Sequence, residues 1–86
     1  MPSDDGKKAL LYTEKEGQYL AFIFYYKKIN GVSPAQIDFQ RYFEVSPPTV
    51  HNMILQLEKK KLISRIPNTA RSITLRLEEF DLPRLK

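Results

Sequence analysis

The chain has 86 residues, no cysteine and a single histidine, His51, which excludes a disulfide framework and a thiolate zinc site and leaves room for one small domain with a thin core. Its formal charge is +4, and because Asp4, Asp5, Glu78, Glu79 and Asp81 lie near the ends, the stretch 12–77 holds ten Lys/Arg against five Asp/Glu, a field that attracts polyanions without choosing among them. The longest apolar run, Tyr19 to Tyr26, is less than half a membrane span and nothing resembles a signal peptide, so a soluble cytoplasmic protein is expected.

Residues 1–11 are polar and of mixed charge and read as a flexible N-terminal arm. Thr13 with Glu16 three positions on is a capping box, in which each side chain satisfies an amide of the other residue. Behind it Tyr19, Phe22, Ile23, Tyr26 and Ile29 recur at helical period, and Asn30-Gly31 supplies a stop, so the first helix is expected over 14–30. Ser33-Pro34-Ala35-Gln36 reads as a serine cap with proline at the first helical position, which predicts a second helix over 34–43 with Phe39 and Phe43 on one face. A very short turn, Glu44-Val45, separates it from a third helix capped by Ser46, opened by Pro47 and reaching about Lys60. Two β-type runs, 62–66 and 72–77, flank the turn-forming segment Pro67-Asn68-Thr69-Ala70-Arg71. An isolated hairpin is marginal in water, so this one is expected to rest on the helices. Residues 78–86 carry no period and read as a C-terminal tail.

In the third helix Val50, Met53, Ile54 and Leu57 fall within about 100° of arc and form the face expected to be buried. Pro48, Asn52, Gln56 and Lys59 lie opposite, flanked by Thr49 and His51. Most aromatics sit on the stripes of the first two helices, where packing explains them better than base stacking on single strands. Leu20, Phe24 and Leu55 fall off the stripes and are expected at the surface. The run Lys59-Lys60-Lys61 reads as a complement to the helix dipole. One histidine and few central acids provide no nucleophile-base pair, carboxylate pair or metal set, so no enzymatic activity, cofactor or metal is expected.

Two helices across a tight turn, followed at once by a strand pair, form the layout of a helix-turn-helix with a wing. The fold class expected is mainly α with a small β-hairpin (α+β). The chain resembles the winged helix-turn-helix superfamily of prokaryotic regulators, and within it the N-terminal domain of LexA-type repressors. The resemblance covers residues 12–77. It rests on Thr13, Asn30-Gly31 and Ser33-Pro34, on Ser46-Pro47-x-Thr49-Val50-His51, on Leu57-Glu58-x-Lys60 before Leu62-Ile63, and on Arg71-Ser72-Ile73. The chain departs from that pattern at Glu44 and Lys61, which stand where glycine is usual, and its turn is one residue shorter. LexA-type repressors continue into a serine-lysine self-cleaving domain, and the expectation here is a reader without that switch.

The resemblance implies sequence-specific binding of double-stranded DNA by a transcriptional regulator. Recognition would fall on the exposed N-terminal half of the third helix: Pro48, Thr49, His51, Asn52 and Gln56 toward the bases, with Ser46 and free amides of the helix terminus on phosphate. Asn68, Thr69 and Arg71 would carry the wing to the backbone or minor groove. Regulators of this type bind two-fold sites as dimers, so a homodimer is implied, with Phe24 and Tyr25 of the first helix as the candidate contact; no membrane or small-molecule partner is expected. The alternative is a winged helix that binds protein within a larger assembly, for which an apolar patch centred on Leu55 would be the sign.

Overall fold

The computed structural model describes residues 12–78 and 81–85, and the arm expected over 1–11 lies outside them. Three helices, α1 (Glu14–Asn30), α2 (Gln36–Phe43) and α3 (Pro47–Lys59), precede a two-stranded antiparallel hairpin, β1 (Ile63–Ser64) and β2 (Thr74–Leu75), in which Ile63 pairs with Leu75 and Ser64 with Thr74. This is a winged helix-turn-helix. β2 packs against α1 and β1 against α3, so the hairpin closes the far side of the helical core. None of the described helices is long and apolar enough to cross a membrane.

The start of α1 follows from its capping box: the Glu16 amide donates to Thr13 Oγ1 at 3.1 Å and the Thr13 amide donates to Glu16 Oε1 at 2.8 Å. Gly31, at φ 80, closes the helix by donating its amide to the Lys27 carbonyl. α2 begins two residues later than its sequence suggests. Ser33 is buried and its hydroxyl donates to the Ile73 carbonyl across the fold, so it ties the hairpin to the helices instead of capping α2. Ala35 takes the cap position, and its amide donates to Asp38 Oδ2 at 2.7 Å.

Both remaining helix ends are closed by left-handed residues that are not glycine. Glu44 sits at φ 55, with Val45 N–H returning to the Gln40 carbonyl. Lys61 sits at φ 63, with its own amide on the Glu58 carbonyl and Leu62 N–H on the Leu57 carbonyl. These bonds satisfy carbonyls that the helix ends would otherwise leave open, which offsets a backbone cost of about 1–2 kcal/mol at each site.

The core joins Tyr19, Leu20, Phe22 and Ile23 of α1 to Phe39 of α2, Val50, Ile54 and Leu57 of α3, and Leu62, Ile63 and Ile73 of the hairpin region. Aromatic rings set the α1–α2 contact: Tyr19 stacks on Phe43 with centroids 4.3 Å apart, and Phe22 tilts against Phe39 at 5.0 Å and Tyr42 at 4.8 Å. Leu20 is fully buried, contrary to its expected place at the surface. The reason is that α1 is covered from two directions, by α2 and α3 and by β2, so its buried arc is wider than one stripe. Ile29, the last member of that stripe, is 79% exposed because the helix outruns the core there.

The strands are shorter than the apolar runs that announce them, although Arg76 N–H still bonds the Leu62 carbonyl beyond the pair. The wing turn is held by Ser72, whose hydroxyl accepts from the Ile66 amide at 2.9 Å and lies 2.9 Å from the Thr69 carbonyl. Residues 81–85, past the span read as the domain, lie along α1: the Tyr12 hydroxyl donates to the Asp81 carbonyl and Gln18 Nε2 to the Arg84 carbonyl. Gly17 makes that approach feasible, since a Cβ there would stand 2.8 Å from the Tyr12 ring and 3.0 Å from Pro83.

Glu16 has no exposed surface, yet it is charged. Burial alone raises its pKa, but hydrogen bonds from Lys60, the Thr13 amide and Gln56, together with the Lys60 charge, more than offset this and leave it below the ordinary 4.5. A carboxyl that ionises more readily in the folded state contributes stability that is full above about pH 4.5 and is lost as pH falls through the lower folded value. Thermal unfolding between pH 5 and pH 2 should therefore show a loss of midpoint in the unaltered chain that is smaller in Glu16→Gln. The left-handed corner gives a second expectation: Lys61→Gly should stabilise the domain by about 1 kcal/mol in urea unfolding, whereas Lys61→Ala should not.

Candidate nucleic-acid interface

The turn at Glu44-Val45 leaves α3 attached by one face only. Val50, Ile54 and Leu57 are buried, and Met53 is half-buried beside them. The same helical period turns Pro48, Thr49, Asn52, Leu55, Gln56 and Lys59 outward, and all six are exposed. Pro48, Thr49 and Asn52 thus share the open N-terminal half of the helix.

The helix terminus itself differs from the expectation. The resemblance implies free backbone amides there as a phosphate site, but Pro47 and Pro48 have no N–H to offer. The Thr49 amide already donates to Ser46 Oγ at 3.4 Å, and the Val50 amide donates to the Ser46 carbonyl. What remains is a pair of hydroxyls, Ser46 Oγ and Thr49 Oγ1, 2.9 Å apart. Only one of them can donate to the other, so one hydroxyl hydrogen is left for an outside acceptor. The amides at positions 47–50 are thus absent or engaged, and a phosphate contact here draws on the hydroxyls.

His51 turns toward the wing. It lines a cleft of about 380 Å³ together with Gln36 at the start of α2 and Arg65, Asn68, Thr69 and Arg71 of the hairpin. Four residues singled out in the sequence therefore meet here, from α3 and from the hairpin that follows it. Gln36 and Arg65 were not singled out. Strand alternation could have found Arg65, which lies on the same side as buried Ile63 and is drawn toward α3 by Glu58 at 3.1 Å. Gln36 carried no such signal, because its exposure depends on where α2 begins.

Two of the expected contacts are already engaged within the domain. Arg71, at φ 58, bonds through one terminal guanidinium nitrogen to Asp38 Oδ2 at 3.1 Å, the Ser33 carbonyl at 3.2 Å and the Tyr26 hydroxyl at 3.3 Å, while its side chain stays 42% exposed. It fastens the wing to α1 and α2. Gln56 donates its side-chain amide to Glu16 Oε2, and Lys60 Nζ reaches Glu16 Oε1 at 2.8 Å. Within the lysine run, Lys60 therefore has a role beyond the helix dipole. Asn68, at φ 60, takes the left-handed conformation that asparagine tolerates better than most residues, and it stands exposed on the turn beside Thr69.

Comparison with known proteins agrees with this architecture. Over 63 residues, 73% of its length, the chain is 41% identical to the LexA repressor of Thermosipho melanesiensis. Over 73 residues, 83% of its length, it is 38% identical to the LexA repressor of Thermosipho africanus. The chain is similar to LexA repressors in sequence. It spans about a third of the length of these curated relatives, the matches covering 32% and 37% of them. No family model matches the chain.

Helix α3 depends on its cap. Ser46→Ala removes the acceptor for the Thr49 amide and should lower stability by about 1 kcal/mol, measured as a shift of the urea midpoint with unchanged slope.

Proposed function

We propose that this LexA-like chain is a reader of double-stranded DNA that acts in transcriptional regulation. The observation that carries the reading is the display of Pro48, Thr49 and Asn52 on the open half of α3, next to a polar cleft formed with the wing. A helix presented in this way fits the major groove, where asparagine can pair with both polar groups on the exposed edge of adenine and the threonine methyl can meet the thymine methyl. The hydroxyl pair at Ser46 and Thr49 would take a phosphate, and Asn68 and Thr69 would bring the wing to the neighbouring backbone. Arg71 holds the wing at its angle.

The surroundings of Leu55 support DNA over a protein partner. It is 41% exposed, but its neighbours one helical turn away are His51, Asn52, Glu58 and Lys59. A single leucine among such residues is not an apolar patch, and within a major groove it would suit a thymine methyl. The excess of basic residues over 12–77 supplies the phosphate attraction. Assembly as a homodimer on a two-fold site forms part of the proposal. Its candidate surface holds Phe24 and Tyr25, packed edge to face at 5.0 Å with Lys28 over the Phe24 ring.

Fluorescence anisotropy with duplex DNA tests the reading. Affinity should fall linearly with salt on a logarithmic scale, with a slope of about −0.9 for each phosphate neutralised. After selection of a preferred site, the double change Thr49→Ala with Asn52→Ala should reduce discrimination between that site and random duplex by about 1–3 kcal/mol for each side chain truncated, beyond a smaller loss of non-specific affinity from the missing Thr49 hydroxyl. Unchanged site preference in the double variant would contradict the assignment of α3.

A further inference from the structure

Glu16 is the one acidic side chain of the described residues that is wholly buried, and it bonds Gln56 of α3, 40 residues away in sequence. Its two oxygens meet three donors: Oε1 accepts from the Thr13 amide and from Lys60 Nζ, each at 2.8 Å, and Oε2 accepts from Gln56 Nε2. Gln56 lies on α3 and Lys60 caps its C-terminus four residues on, so the carboxylate grips that end of the helix along a single edge and ties it to the first turn of α1. The capping box needs only one of these bonds. An uncharged glutamine would serve a cap equally well. The other two bonds are made to the proposed reading helix.

An ionised carboxylate only accepts hydrogen bonds, which fixes the orientation of the Gln56 amide. Its NH₂ group must face Glu16, and its carbonyl oxygen must face elsewhere. Gln56 is exposed, on the flank of the outward side of α3, with Asn52 one turn away. We propose that Glu16 is a positioning residue for base recognition: it sets the direction of the Gln56 amide, so that this side chain offers a carbonyl acceptor to the groove, and it holds the α3 edge through Lys60. The chemistry that suits such an acceptor is an exocyclic amino group, on adenine or cytosine, in the major groove. The proposal rests on the DNA-reading function above and deepens it by naming what orients one of its contacts.

Glu16→Gln isolates the effect. The new side chain still accepts from the Thr13 amide, so the cap survives, but its NH₂ group then faces Gln56, which is driven to turn its carbonyl inward. The measurement is the relative affinity of the full 86-residue chain for its selected duplex and for duplexes altered one base pair at a time, with thermal unfolding followed in parallel. The Gln56 side-chain NH₂ signals are followed by NMR without DNA. Glu16→Gln should stay folded, keep its affinity for random duplex within about twofold, and lose about tenfold in discrimination at one base pair. Gln56→Ala should lose discrimination at the same pair, and the two changes together should lose no more than either alone. The Gln56 NH₂ hydrogens should exchange slowly in the unaltered chain and faster in Glu16→Gln. Unchanged base preference in Glu16→Gln, or losses that add in the double variant, would overturn the proposal while leaving DNA reading intact. Absence of duplex binding by the unaltered chain would refute the DNA reading itself, and the positioning role with it, whatever the NMR signals show.

Discussion

Helix α3 is held to the domain by three fully buried side chains, Val50, Ile54 and Leu57, and by one buried carboxylate, Glu16. A chain this short has little apolar surface to bury, so each of those anchors carries a large share of the helix's attachment. The aliphatic side chains fix how deeply α3 sits, because they interlock with the rings of α1 and α2. They fix its rotation less well, since apolar contacts have no direction. The Glu16 bonds are directional, and they act at the edge of the helix where rotation would be felt most. One face is thus sacrificed to the core, one edge is clamped, and the remaining arc is free for a ligand.

The free arc is built mainly from side chains. With prolines at its first two positions, α3 begins rigidly but without the amide donors that helix termini commonly give to anions. The serine and threonine hydroxyls fill part of that gap. On the other flank the wing is fixed at several points: Ser72 closes its turn, Ser33 bonds the Ile73 carbonyl, and Arg71 reaches Asp38 and Tyr26. These ties make the cleft between wing and helix a defined feature and not a hinge.

Much of this was legible in the sequence, and the misses have physical causes. The bounds of α1 follow from a local capping box and a glycine stop, so sequence alone suffices for them. Glu44 and Lys61 stood out because the resembled pattern has glycine at their places, and both are left-handed in the structure. Ser33 misled, because a serine before proline is an ordinary cap, and nothing nearby reveals that its hydroxyl is taken by a carbonyl 40 residues away. Leu20 misled because one helical stripe describes a helix covered from one side, whereas α1 is covered from two. In the candidate site, exposure of Thr49 and Asn52 came from helical period alone. The bonds of Arg71 to Asp38 and Tyr26 and the capture of Gln56 by Glu16 depend on partners brought close only by folding, and no local pattern encodes them.

The most direct test of the account is a map of backbone and side-chain NMR shifts in the ¹⁵N-labelled chain as a selected duplex is added. The account predicts that the large changes cluster on residues 46–56 and 66–72, with α1 nearly silent outside the proposed dimer contact at Phe24 and Tyr25. Changes centred instead on α1 and the segment lying along it, with α3 unaffected, would contradict it.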